Sequence, residues 1–186
     1  VVGARVSAWG GNLSTGGDKV FVVEADEYDR SFLALQPTVA VVTNVEADHL
    51  DIYTDLADIR RTFEEFVGRA RWVVLCADDA GANTLAVRSS AEVIRYAMGH
   101  GEPGATDGWT DARLIARDVW FGDGGARFTA VYDGEALGEV QLQVPGVHNV
   151  RNALAALASG LALGATVPRM AEGLARFGGV ERRFQR

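Results

Sequence analysis

The sequence predicts an α/β domain, a mainly parallel sheet flanked by helices, with a small three-stranded antiparallel sheet. Three observations predict it. Short apolar runs alternate with helix-period stretches up to about residue 97, as in strands linked by crossover helices. After Gly99 the chain turns to alternating apolar and polar residues punctuated by glycine, the pattern of hairpins. Two acidic clusters, Glu24-Ala25-Asp26-Glu27-Tyr28-Asp29 and Glu46-Ala47-Asp48-His49, each stand just past an apolar run, at the edge where open α/β sheets take ligands.

The elements follow in order. Residues 20–23 read as a strand, 30–35 as a short helical crossover and 39–43 as the next strand. Residues 56–67 carry Leu56, Ile59, Phe63, Phe66 and Val67 at helical spacing, with Asp55 placed to cap them. Residues 72–76 form a third strand, 80–87 a helix and 92–97 a fourth strand, so right-handed crossovers would make the sheet parallel. Residues 100–111 are glycine-rich and polar. Residues 114–120, 126–132 and 139–144 alternate around Gly122-Asp123-Gly124-Gly125 and Asp133-Gly134-Glu135, an antiparallel meander at about 112–144. Helices are expected over 149–163 and over 167–177, where Pro168 falls in the first turn. Length allows one domain spanning 1–186, with that meander as a subdomain.

Composition narrows the function classes. A formal charge of −7 argues against nucleic acid and anionic membrane as partners, since both attract through basic patches. No apolar run approaches the roughly 18 residues of a membrane span, and no signal-peptide pattern opens the chain. A cytoplasmic location is expected. Cys76, the single cysteine, ends an apolar run and reads as a small buried residue in a reducing compartment. Oligomeric state is not legible.

The acidic clusters carry the chemistry. An acidic run is ordinarily a solvated loop or a helix N-terminus, and a lone histidine is ordinarily a hydrogen-bonded loop residue. If residues 20–23 and 39–43 are parallel neighbours, however, Glu24, Asp26 and His49 emerge at one edge. Carboxylates and an imidazole there suit a divalent cation that bridges phosphate oxygens. Further on, Gly146-Val147-His148-Asn149-Val150-Arg151-Asn152 precedes a helix. Asn149 could simply cap it; alternatively, the amides of Asn149 and Asn152 offer a donor and an acceptor on one flat unit, which suits the edge of a base.

These residues also carry a resemblance. The stretches E-A-D-E-Y-D-R-S-F (24–32), T-N-V-E-A-D-H-L-D (43–51), P-G-V-H-N-V-R-N-A (145–153) and G-V-E-R-R-F (179–184) resemble the Mur ligases of bacterial cell-wall synthesis, and specifically their central, P-loop NTPase-like ATP-binding domain. The resemblance covers nearly the whole chain. It implies that Glu24 and His49 hold Mg2+ and serve catalysis, that His148, Asn149 and Asn152 lie against the adenine of ATP, and that Arg182 and Arg183 lie near the nucleotide. It further implies an ATP-dependent amide synthesis. The wording of residues 44–51 is most similar to the branch that joins L-alanine to UDP-N-acetylmuramate: the muramate carboxylate attacks the γ-phosphate to give an acyl phosphate, and the amine of L-alanine displaces phosphate. Both substrates would be held mostly by other domains.

The phosphate-binding loop that such a ligase needs has the form Gly-Lys-Ser/Thr, and none occurs here. Lys19, the single lysine among 18 basic residues, is followed by Val20, and it does not match the carbamylated lysine of some Mur ligases. Gly10-Gly11-Asn12 and Gly16-Gly17-Asp18 lead into a strand rather than from a strand into a helix, so they read as an ordinary loop. The expectation is a chain that starts downstream of the phosphate loop and is inactive alone. A tripeptide-recycling ligase, a folylpolyglutamate synthetase, a metal-dependent hydrolase and a nucleotide-sensing module are the alternatives.

Overall fold

Four apolar runs form successive parallel strands: β1 (Val39–Val42), β2 (Trp72–Cys76), β3 (Glu92–Met98) and the start of β4 (Ala112–Gly122). β4 then pairs antiparallel with β5 (Gly125–Tyr132), and β5 with β6 (Glu135–Leu142). The computed structural model describes residues 1–99 and 111–180, and in it the six strands lie in chain order in one sheet. The expected meander is therefore continuous with the parallel strands. β4 is long enough to do both, pairing with β3 through Ala112–Ala116 and with β5 through Leu114–Gly122. Both tight turns place two consecutive residues at positive φ, Asp123-Gly124 and Asp133-Gly134, the geometry that suits the twist of a hairpin.

The helices bury both faces of β2. Val73, Val74, Leu75 and Cys76 of β2 are all buried, and successive residues of a strand face opposite sides. α1 (Leu56–Val67) is capped as expected, with the Asp55 carboxylate accepting the Asp58 N–H at 2.7 Å. α1 packs on β1. α3 (Val147–Ala162) packs on β2, β3 and β4 through Val150, Ala153, Leu154, Leu157 and Ala158, a stripe whose alanines let the helix sit close to the sheet. α4 (Val167–Leu174) covers β6.

Several expectations change. Residues 20–23 form no strand: Val20, Phe21 and Val22 are exposed, Phe21 by 78%. Their backbone contacts are to Val1, whose amino group donates to Val22 O at 2.7 Å while Glu24 N donates to Val1 O at 2.9 Å. An apolar run becomes a strand of the sheet only if a neighbour takes its hydrogen bonds and layers cover its faces, and among the described residues β1 has no strand on its outer side. The crossover at 30–35 is a 3₁₀ segment, Tyr28–Ala34, with left-handed Asp29 and Arg30 at φ 53° and 56°. The helix expected over 80–87 is only α2 (Ala80–Asn83). Arg60 grips the Thr84 hydroxyl and carbonyl, and the Glu64 carboxylate accepts the Ala86 N–H, which draws the chain out of helical geometry. The polar stretch 100–111 lies outside the described residues except for its last position.

Candidate functional site

The carboxyl ends of β1 and β2 are tied to each other. One oxygen of Asp79 accepts the Val45 N–H at 3.1 Å and caps α2 by accepting the Ala82 N–H at 2.7 Å. Gly81 lies so close to the Val45 carbonyl that a Cβ there would collide with it. The segment after β1 is thus fixed where it leaves the sheet, with the Thr43 hydroxyl donating to Asn44 Oδ1 at 3.0 Å.

The acidic loops are joined by side chains instead of by a shared strand edge. Tyr53 is buried and its hydroxyl donates to Glu27 O at 2.5 Å. The Arg30 guanidinium lies 5.1 Å from the Tyr53 ring centroid and pairs with Asp58 at 2.7 Å. Asp58 also accepts the Thr54 N–H at 3.1 Å. That bond, with the Arg30 and Arg61 charges, holds the Asp58 carboxyl below the usual carboxylate range despite its partial burial. The Tyr28 ring meets His49 edge-on at 5.3 Å, and its hydroxyl donates to Asp51 at 3.4 Å, a carboxylate that raises the Tyr28 phenol's pKa.

Between these loops lies an open cleft of about 190 Å³ whose lining includes Glu27, Thr43, Asn44, Glu46, Asp48 and His49. His49 is about one-third exposed, with Nε2 3.5 Å from Glu27 Oε1 and 3.9 Å from Asp48 Oδ2. Its backbone is left-handed, φ 53°. The structure thus brings His49 to Glu27 and Asp48. Glu24 stands apart on an exposed stretch, where its carboxylate accepts the Gly3 N–H at 2.6 Å; with no strand at 20–23, the shared edge expected for Glu24 and Asp26 is not formed. Among the described residues no three His, Cys, Asp or Glu side chains converge as a metal cage. Magnesium seldom needs one, since it takes one or two carboxylates and fills its shell with water and phosphate oxygens. Hard oxygen donors on an open cleft fit that demand.

The second candidate region is the start of α3. Gly146, at φ 105°, occupies the cap position, so Asn149 lies inside the first turn and is not the cap. Its side-chain amide donates to Pro145 O at 2.7 Å. His148 is exposed, with its ring against Gly146. Asn152 is exposed one turn on, on the same side of the helix as His148 and Asn149 by helical spacing. Arg182 and Arg183 lie outside the described residues.

Sequence reasoning missed Asp78, Asp79 and Arg151. Asp78 sits just past β2, its side chain 1% exposed, and its Oδ2 accepts Met98 N at 3.0 Å and Arg151 Nε at 2.9 Å. The signal was present, an Asp-Asp pair just past an apolar strand and ahead of a helix, the same logic that singled out Glu46 and Asp48.

Comparison with known proteins agrees with this architecture. The Mur ligase middle domain matches residues 11–160. UDP-N-acetylmuramate–L-alanine ligases are similar along the chain: that of Salinibacter ruber is 41% identical over 100% of this chain and 38% of its own length. That of Acidothermus cellulolyticus is 44% identical over 99% and 38%. The chain therefore spans about two fifths of the length of these curated relatives. Among solved structures, the UDP-N-acetylmuramate–alanine ligase MurC of Thermotoga maritima superimposes with a TM-score of 0.78 at 28% identity, over 98% of this chain and 39% of that one. By fold, by motif and by sequence, the chain belongs to the Mur ligase family, and residues 11–160 are its middle domain.

Proposed function

We propose that this chain is the nucleotide- and metal-binding part of an ATP-dependent ligase that joins L-alanine to UDP-N-acetylmuramate. The observation that carries the reading is the cleft at the carboxyl end of β1, where Glu27, Asp48 and His49 stand together at the edge where open α/β sheets receive ligands. Curated relatives similar over the whole chain bear that ligase's name. L-alanine, rather than a tripeptide, is the amino component those names support.

In this reading His49 and Glu24 hold Mg2+ at the phosphates, with Glu27 and Asp48 as the neighbouring carboxylates. Glu24 lies outside the cleft lining in this structure, its carboxylate on the Gly3 N–H, and would have to leave that amide to join them. Magnesium, when bound, neutralises phosphate oxygens so that a carboxylate can approach the γ-phosphate. Asn149 and Asn152, with His148, face the adenine. Arg182 and Arg183 bring guanidinium forks to phosphate or ribose. The muramate carboxylate takes the γ-phosphoryl group as its bond to ADP breaks, giving an acyl phosphate; the alanine amine then attacks the acyl carbon, so that the amide C–N bond forms as the C–O bond to phosphate breaks and the amine loses a proton.

The test is coupled ADP release by the full-length protein. Release should require UDP-N-acetylmuramate, L-alanine and Mg2+ together, and a tripeptide should not replace L-alanine. ADP release that is indifferent to the amine overturns the ligase reading in favour of a hydrolase.

A further inference from the structure

We propose that Asp78 is a positioning residue for nucleotide recognition, acting through Arg151 to fix the opening turns of α3 against the carboxyl edge of the sheet. The inference rests on the reading that His148, Asn149 and Asn152 face the base. One carboxylate oxygen of Asp78 joins three elements: it follows β2, accepts the Met98 N–H at the end of β3 at 3.0 Å, and accepts Arg151 Nε in α3 at 2.9 Å. Arg151 stands between Asn149 and Asn152 in the chain, so whatever sets its place sets theirs.

Apart from this pair and the local bond of Asn149 to Pro145 O, the contacts at this end of α3 are apolar packing. Val150, Ala153 and Leu154 are buried against the sheet, and apolar packing tolerates a small roll or slide of a helix far better than a charge-assisted hydrogen bond does. The Asp78 side chain is 1% exposed and its second oxygen is buried without a partner among the described residues. A carboxylate in that setting depends on its cation, because removing one partner of a buried pair leaves an uncompensated charge. Such pairs contribute little net stability compared with apolar replacements, and their best-attested use is to fix register. Here the register that matters is that of the exposed amide of Asn152.

The experiment is steady-state kinetics on the full-length protein with Arg151→Leu, Arg151→Lys, Asp78→Asn and, as a benchmark, Asn152→Ala. Arg151→Leu and Asp78→Asn should each raise the KM for ATP by about tenfold and lower the preference for ATP over GTP, with kcat within about twofold of wild type. Arg151→Lys, which keeps a cation in reach of Asp78, should restore both. The double variant Asp78→Asn/Arg151→Leu should be no worse than the worse single one. Should Asp78→Asn fail to fold, Arg151→Leu carries the test, since Arg151 is 36% exposed. If Arg151→Leu leaves the ATP KM and the ATP/GTP ratio at wild type while Asn152→Ala moves both, the pair is merely structural and the positioning role is overturned. If Asn152→Ala itself moves neither, the base-facing reading falls, and this inference falls with it.

Discussion

Replacing His49 tests chemistry and backbone strain separately, because the two act through different atoms. The imidazole stands in the cleft, 3.5 Å from Glu27, and in the proposed reading it helps hold the charge that stabilises the moving γ-phosphate. Its loss in the full-length protein should lower kcat by about 10- to 1000-fold, which corresponds to about 1.4 to 4 kcal/mol of transition-state stabilisation. The backbone at His49 has φ 53°, a left-handed conformation that costs a residue with a Cβ about 1 kcal/mol and costs glycine nothing. His49→Ala keeps that strain and His49→Gly removes it. The two variants should therefore lose kcat equally, while the glycine variant melts higher by about 2–4 °C, the shift that about 1 kcal/mol produces in a domain of this size. Paired kcat and thermal-melting measurements decide it. A kcat within twofold of wild type in both variants refutes the role of His49, and a glycine variant that melts below the alanine one refutes the left-handed backbone.

Asn152→Ala in the same protein should raise the ATP KM and reduce discrimination against GTP with little change in kcat, since a lost base contact weakens ground and transition states alike; a lower melting temperature with unchanged kinetics would make it a packing residue. The 186-residue chain alone, which has no Gly-Lys-Ser/Thr loop, should release no ADP above background with Mg2+, UDP-N-acetylmuramate and L-alanine, and sustained release abolished by Glu24→Ala would support a hydrolase. Asp58 has a depressed pKa when folded, so its stabilising contribution is complete above the ordinary carboxylate value of about 3.8 and is lost as pH falls through the lower folded value. Chemical denaturation between about pH 4 and pH 2 should accordingly show a shallower loss of stability in Asp58→Asn than in wild type. Chelating Mg2+ should weaken ATP binding to the full-length protein far more than it weakens binding of adenosine, and equal losses would place the metal away from the phosphates.

The parallel strands and α1 were legible because each carries its own signal. Residues 56–67 combine helical spacing with a capping aspartate, and 72–76 is a continuous apolar run that only a doubly covered strand tolerates. Residues 20–23 have the same local character and no such outcome, because a strand is a property of two segments, and nothing in Val20-Phe21-Val22-Val23 states which neighbour takes its hydrogen bonds. The start of α3 misled differently. Asn149 is a good cap by residue type, yet the helix begins earlier, with Gly146 at the cap position and φ 105°, and one N–H of the Asn149 amide donates to Pro145 O. In the cleft, local spacing pointed to one edge shared by Glu24 and His49, whereas the contact formed in this structure is His49 with Glu27. His49 meets Glu27 because Tyr53, Arg30 and Asp58 draw residues 27–30 onto α1, and contacts between residues some 25 positions apart leave no mark in local spacing.

On the proposed function, an acidic cleft would take an anionic ligand only with a cation between them. Glu27, Glu46 and Asp48 line the cleft, the chain carries a net charge of −7, and Arg30, on the neighbouring segment, is paired with Asp58 at 2.7 Å. A bare triphosphate brought there would meet unscreened carboxylates at short range, where like charges cost most. A divalent cation reverses the sign of that interaction, because carboxylates that repel phosphate attract the metal that bridges it. On the proposed function the cleft would select for the metal-bound nucleotide through its charge, and the amides at the start of α3 would select for the base through their geometry. Only the second depends on angstrom-level placement, and that is the part the Asp78–Arg151 pair would serve.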